Sequence, residues 1–277
     1  MSAAVVGGGH AGVTLPRVLT SEWIKFRSLR STWWSIAAAL LAAVGLGILV
    51  TALRGNDLYS HIRSGQVVFK GPFLNAAALS LRGFYLAQLA IGVLGVLFVT
   101  GEYSTGMIRA SLSAVPTRTP VLAAKASVFA VTLFAVAFVA SVIAFLGGQA
   151  ALSAHPIHFG VSLGAAGAFR SVLGAALYVT GVGLMGIGLG FAVRSTGGAI
   201  ATLFGVILVL PLLAQALPAD WQQNVDKYLP MNAGTAAMND GRDAAGTLSP
   251  WVGLGVFALY VVLALAVGWA VLQRRDA

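Results

Sequence analysis

Long apolar runs alternate with short polar breaks along the whole chain. Six runs are long enough for helices that cross a hydrocarbon layer of about 30 Å, which takes ~20 residues. They are 33–53, 84–100, 121–146, 172–193, 198–217 and 251–272. The second is short, and its helix can begin upstream at Ala76 with Arg82 at its outer end. The third has length to spare for a tilt. Before the first run, Leu15, Leu19, Trp23, Phe26 and Leu29 recur at helical spacing, while Arg17, Lys25 and Arg27 lie off that stripe. This pattern predicts an interfacial helix over 15–30, with Thr14 placed to cap it and Pro16 in its first turn.

Three polar stretches are expected to carry structure of their own. In 101–118, GEYSTGMIRASLSAVPTR, a short helix is predicted from Thr105 to Ser113. Ser104 or Thr105 is placed to cap it, Met107, Ile108, Ser111 and Leu112 fall on one side, and Pro116 ends it. Residues 54–83 contain Gly71-Pro72 and read as a mostly irregular loop. Residues 218–249 hold Pro218 and Pro230 and a possible short helix from Asp220 to Tyr228. Trp221, Tyr228, Leu229 and Met231 fit a small cap at the membrane edge better than a solvated connector. Residues 1–14, with Gly7-Gly8-Gly9 and no basic stretch before an apolar core, read as disordered and not as a cleavable signal. Residues 15–277 then form one six-span domain.

Composition agrees with a polytopic membrane protein. Of 277 residues 58% are hydrophobic and only 9% charged, where a soluble domain carries about 25% charged residues. The net charge of +9 does not point to nucleic acid, because the basic residues are spread over short loops between spans. With the amino terminus inside, ten Lys and Arg fall in inner segments and seven in the longer outer ones. Both termini are therefore expected on the cytoplasmic side of a prokaryotic plasma membrane. The absence of Cys excludes disulfides and thiolate chemistry.

Several kinds of chemistry are missing. A phosphate-binding GxxxxGK[ST] loop needs Lys followed by Ser or Thr; the four lysines precede Phe26, Gly71, Ala126 and Tyr228. No HExxH occurs, and Pro156 separates His155 from His158 in a way that no metal-binding helix allows. No cofactor or metal is expected in this chain, and it is not read as an enzyme. Glu102, Lys125, Arg82 and Arg170 stand at span edges, so no charge is expected deep in a span, which disfavours an ion-coupled carrier. Gly186 and Gly190 form a GxxxG that predicts close helix packing, within the chain or with a second one.

The sequence around 101–118 resembles the first cytoplasmic loop of permease subunits of type-2 ATP-binding-cassette exporters, through Gly101, Glu102, Tyr103, Gly106, Arg109, Leu112, Pro116 and Arg118. The hydropathy layout extends the resemblance over nearly the whole chain. It implies a coupling helix that docks on a separate ATPase subunit, with Met107 and Ile108 in the docking face and ATP and Mg bound by that partner. It implies a second permease subunit, identical or related, and an extracellular helical cap over 218–249. It also implies a pathway between the second and fifth spans, which in that family face each other across the subunit interface. Phe84, Gln88, Gly92 and Gly95 on the second and Thr202 on the fifth would line it, unless Gln88 only packs against a neighbour. Readings from other classes are a membrane scaffold or immunity-type protein that acts without ATP, or an ion-coupled carrier.

Overall fold

The computed structural model describes residues 14–64, 76–114, 118–154, 160–239 and 247–274, and these are mostly helical, with no strand among them. His155, His158, Pro116 and the stretch 1–13 lie outside the described residues.

The chain opens with α1, Leu15–Ser28, where Pro16 sits in the first turn. Thr14 has the extended backbone of a cap, but its side chain makes no capping bond; its carbonyl accepts from the amides of Arg17 and Val18 instead. The first long helix, α2, runs from Arg30 to Arg63 and α3 covers Ala76–Ser80, so much of the expected irregular loop over 54–83 is helical. At 34 residues, α2 is about 51 Å long. Next come α4 (Phe84–Ser104), α5 (Met107–Ala114), α6 (Thr119–Ser153) and α7 (Ala168–Val193). The fifth apolar run is interrupted. It forms α8 (Thr196–Phe204), a π-helical turn over Gly205–Val209 and α9 (Leu210–Ala214). Pro211 has no N–H to offer the preceding turn. The wider turn answers this, with the Leu210 amide donating five residues back to the Gly205 carbonyl. Two short helices follow, α10 (Ala219–Val225) and α11 (Pro230–Thr235), and α12 (Pro250–Arg274) ends the described chain.

Among the described residues six segments are long and apolar enough to cross a membrane: α2, α4, α6, α7, the unit from Thr196 to Ala214, and α12. Large apolar side chains such as Leu41, Val131, Leu212 and Val262 stay exposed on them, as lipid contact allows. The chain is thus an all-α, multi-pass membrane protein.

The core forms around α7, whose Ala175, Tyr178, Val182, Ile187 and Phe191 are buried against α4, α6 and α12. Backbones meet here. A Cβ at Gly95 would strike the Gly183 carbonyl, one at Gly186 the Gly92 carbonyl, and one at Gly188 the backbone of Ala264. The GxxxG on α7 therefore serves packing within this chain. Where side chains are absent, dispersion between close backbones replaces the hydrophobic drive that lipid does not supply.

At the far end from α1, Gln149 of α6 donates to the Ala76 carbonyl and the Ser80 hydroxyl, both at 2.9 Å, and accepts from the Val161 amide at 2.8 Å. That one amide holds α3 and the 160s segment to α6. Residues 233–238 wedge between α7 and α12, with Ala237 against Gly174 and the Ala233 carbonyl against Gly253. In the expected helix before them, Trp221 and Tyr228 are exposed.

Candidate functional site

The near end of the bundle, where α1 meets the last turn of α4 and the first turns of α6, holds a buried cluster of four charges. Lys125 of α6 donates to Glu22 Oε2 at 2.7 Å and to Glu102 Oε1 at 2.9 Å. Lys25 of α1 donates to Glu22 Oε1 at 2.7 Å and reaches Glu102 Oε1 at 3.5 Å. The Lys125 side chain is fully buried, and its ammonium stands 4.2 Å from the centroid of the Phe98 ring. The isolated desolvation cost of such charges is several kcal/mol each. It is offset here because each carboxylate meets two ammonium groups and the aromatic face adds its own attraction.

The sequence places these groups in ways that helix geometry makes convergent. Val18, Glu22 and Phe26 lie four residues apart and form the buried face of α1. The apolar stripe read from sequence is thus rotated: Leu15, Trp23 and Leu29 at its edges are largely exposed. Phe26 anchors the contact, with its ring 5.2 Å from Phe98, 5.5 Å from Trp33 and 6.1 Å from Phe129. Burial pushes the Glu22 carboxyl up, but Lys125 and Lys25 outweigh this and hold it below the usual range. Burial likewise pulls Lys25 down, and Glu22 with Glu102 more than reverses it, leaving its pKa raised. Glu102 Oε2 is buried and accepts no hydrogen bond from the described residues.

From this cluster the chain passes directly into α5. The hydroxyls of Ser104 and Thr105 bond back to the Gly101 carbonyl at 3.0 and 2.9 Å, so they close α4 and do not cap α5 as the sequence suggested. Gly106 then takes φ +72°, which only glycine adopts without strain, and α5 starts at Met107. Ile108 is buried in the chain's own core, which corrects its expected place in an outward face. Met107 is 48% exposed and Arg109 is exposed. The side chain of Leu112, like Pro116, lies outside the described residues. Arg118 donates to the Leu272 carbonyl at 2.7 Å, and Arg194 to the Val271 carbonyl at 3.3 Å. Both satisfy carbonyls left open at the end of α12, where the helix dipole favours cations. Tyr103 stands under Arg194, 5.3 Å from its guanidinium, and edge-on to Phe191.

The proposed pathway face is closed in this chain. Phe84, Gln88, Gly92 and Gly95 are all buried against neighbouring helices. The Tyr178 hydroxyl donates to Gln88 Oε1, and Gln88 Nε2 donates to the Tyr85 carbonyl at 2.7 Å. Leu203, not Thr202, faces Gly92. Thr202 is exposed and its hydroxyl bonds its own helix at the Gly198 carbonyl, 2.8 Å away. The reason is the glycine content of α7, which lets that helix fill the space a pathway would need.

Sequence reading passed over Glu22, Lys25 and Lys125 as a unit. A signal was present: Lys125 interrupts an apolar run, and Glu102 at a span end needs a cation. Among the described residues no group of His, Asp and Glu could hold a metal. No family model matches the chain, and no curated protein matches it.

Proposed function

We propose that this chain is the membrane-spanning permease subunit of an ATP-driven exporter of the type-2 ATP-binding-cassette kind. The observation that carries the reading is α5. It is a separate eight-residue helix between two spans, on a glycine hinge, anchored by Ile108, and it directly follows a span end locked by buried charges. A helix held this way moves the ends of α4 and α6 when it is pushed. A simple connector needs none of this.

In this reading α5 is the coupling helix and receives a cytoplasmic ATPase on its exposed Met107–Arg109 side. Both termini are cytoplasmic, in a plasma membrane. Two permease subunits, identical or related, form the complex with two ATPase copies that bind ATP and Mg. Residues 218–249 form the extracellular cap and α1 the interfacial helix. The pathway runs at the boundary between the two subunits, away from the buried Gln88 contact with Tyr178. Affinity purification of the full chain from its native membrane tests this. Recovery of a stoichiometric Walker-motif ATPase, lost on Met107→Asp, is the expected result. Recovery of the chain with no ATPase would sink the reading.

A further inference from the structure

We infer that a pocket at the far end of the bundle binds a phosphate group, supplied by a phospholipid headgroup or as free phosphate. The inference does not depend on transport. The pocket has a volume of about 440 Å³ and is lined by Ala78, Arg82, Tyr85, Met238 and Asn239, within the size range of small-ligand sites. It lies between the turn that joins α3 to α4 and the segment after α11.

Three features define what it takes. First, Arg82 is exposed at the pocket, and its guanidinium has no hydrogen-bond or ion-pair partner among the described residues. Second, Arg170 of α7 reaches the same segment and donates to the Asn239 carbonyl at 2.8 Å, while its buried Nε is left without a partner. Arg170 thus holds the carbonyl of a residue that shares the pocket with Arg82, and no carboxylate is among the described lining residues. Third, Arg82 stands twenty residues before Glu102 along the same helical path, about 30 Å away at 1.5 Å per residue. That is one hydrocarbon thickness. If the near cluster marks one boundary of the hydrocarbon, Arg82 lies at the other, where headgroup phosphates are.

The chemistry matches. A guanidinium presents a planar fork of donors that meets two phosphate oxygens at once. The Tyr85 hydroxyl and the Asn239 amide supply neutral donors beside it. Ala78 and Met238 give the pocket an apolar wall, suited to the carbons that adjoin a lipid phosphate.

The test uses the full chain purified in a neutral detergent. Native mass spectrometry measures retained phosphatidylglycerol against diacylglycerol, which lacks the phosphate. Thermal unfolding is followed with and without inorganic phosphate. Wild type is compared with Arg82→Gln, Arg82→Lys and the control Arg63→Gln on α2, which does not line the pocket. For a lipid source, wild type and Arg63→Gln retain phosphatidylglycerol over diacylglycerol. Arg82→Gln retains about tenfold less, the loss of a charge-assisted contact, and Arg82→Lys falls between. For a soluble source, lipid retention is equal in all variants, and inorganic phosphate raises the Tm of wild type but not of Arg82→Gln. If neither readout changes on Arg82→Gln, the site is refuted. The ligand-free Tm of each variant reports its fold.

Discussion

Lys125 and Glu22 are 103 residues apart in sequence and meet at 2.7 Å, both side chains almost wholly buried. The contact fastens the amino-terminal helix to the third long helix. Because Lys125 also holds Glu102 at 2.9 Å, the same ammonium fixes the end of α4 from which α5 departs. Lys125→Met should therefore leave two carboxylates sharing one partly exposed lysine, and cost about 3–5 kcal/mol. Adding Glu22→Leu and Glu102→Gln should restore most of that stability, since an apolar replacement of a buried ion cluster is often neutral. Thermal unfolding of the single and triple variants measures this. A triple variant no more stable than the single would mean that the charges are not coupled.

The attachment of α1 should be insensitive to pH over a wide window. Glu22 is held below its ordinary 4.5, so its contribution is present above that value and is lost as pH falls through the lowered pKa. Lys25 is raised above its ordinary 10.5, so its contribution is full below that value and is lost as pH rises through the raised pKa. Hydrogen exchange of the α1 amides, corrected for intrinsic rates, should show constant protection between about pH 5 and pH 10. Loss of protection near neutrality would contradict the pairing.

Gln88 should behave as a structural residue. Gln88→Leu strands the buried Tyr178 hydroxyl, at a cost of about 1–3 kcal/mol. Tyr178→Phe in the same chain should recover much of it, since both polar partners are then gone. A double-mutant cycle on unfolding midpoints measures the coupling. Additive losses would show that the two groups do not interact.

Two glycines should respond in opposite directions to the same change. Gly95→Ala puts a methyl group on the Gly183 carbonyl and should cost on the order of 1–3 kcal/mol by overpacking. Gly45→Ala on α2 meets nothing within 4 Å and should stabilise by up to about 1 kcal/mol through helix propensity. Unfolding midpoints in detergent decide it. Equal effects would mean that α4 and α7 do not approach as closely as described.

Neighbouring residues of α5 should separate folding from docking. Ile108→Asp places a charge in the chain's own core and should lower yield and stability by several kcal/mol. Met107→Asp, at a position 48% exposed, should leave stability within about 0.5 kcal/mol and change only association with a partner. Yield and Tm in the absence of any partner measure the difference.

Hydropathy alone located all six spans, because a hydrocarbon layer demands about twenty apolar residues and a helix satisfies its backbone within the segment. Periodicity and turn residues also pointed to short helices near 15–30 and 105–113. Other features were settled by contacts between residues distant in sequence. Which face of α1 turns inward depends on Phe26 meeting Phe98 and Phe129. That Lys125 and Lys25 supply the cations for Glu102 depends on three helices meeting at one end. The polar side chain of Gln88 is the same in a pathway or in a core. Its role followed from the Tyr178 hydroxyl and from glycines on α7 that bring that helix against α4. Periodicity tells how a helix is amphipathic about its own axis. Which neighbour covers each side is decided by the shapes and charges of all the helices together.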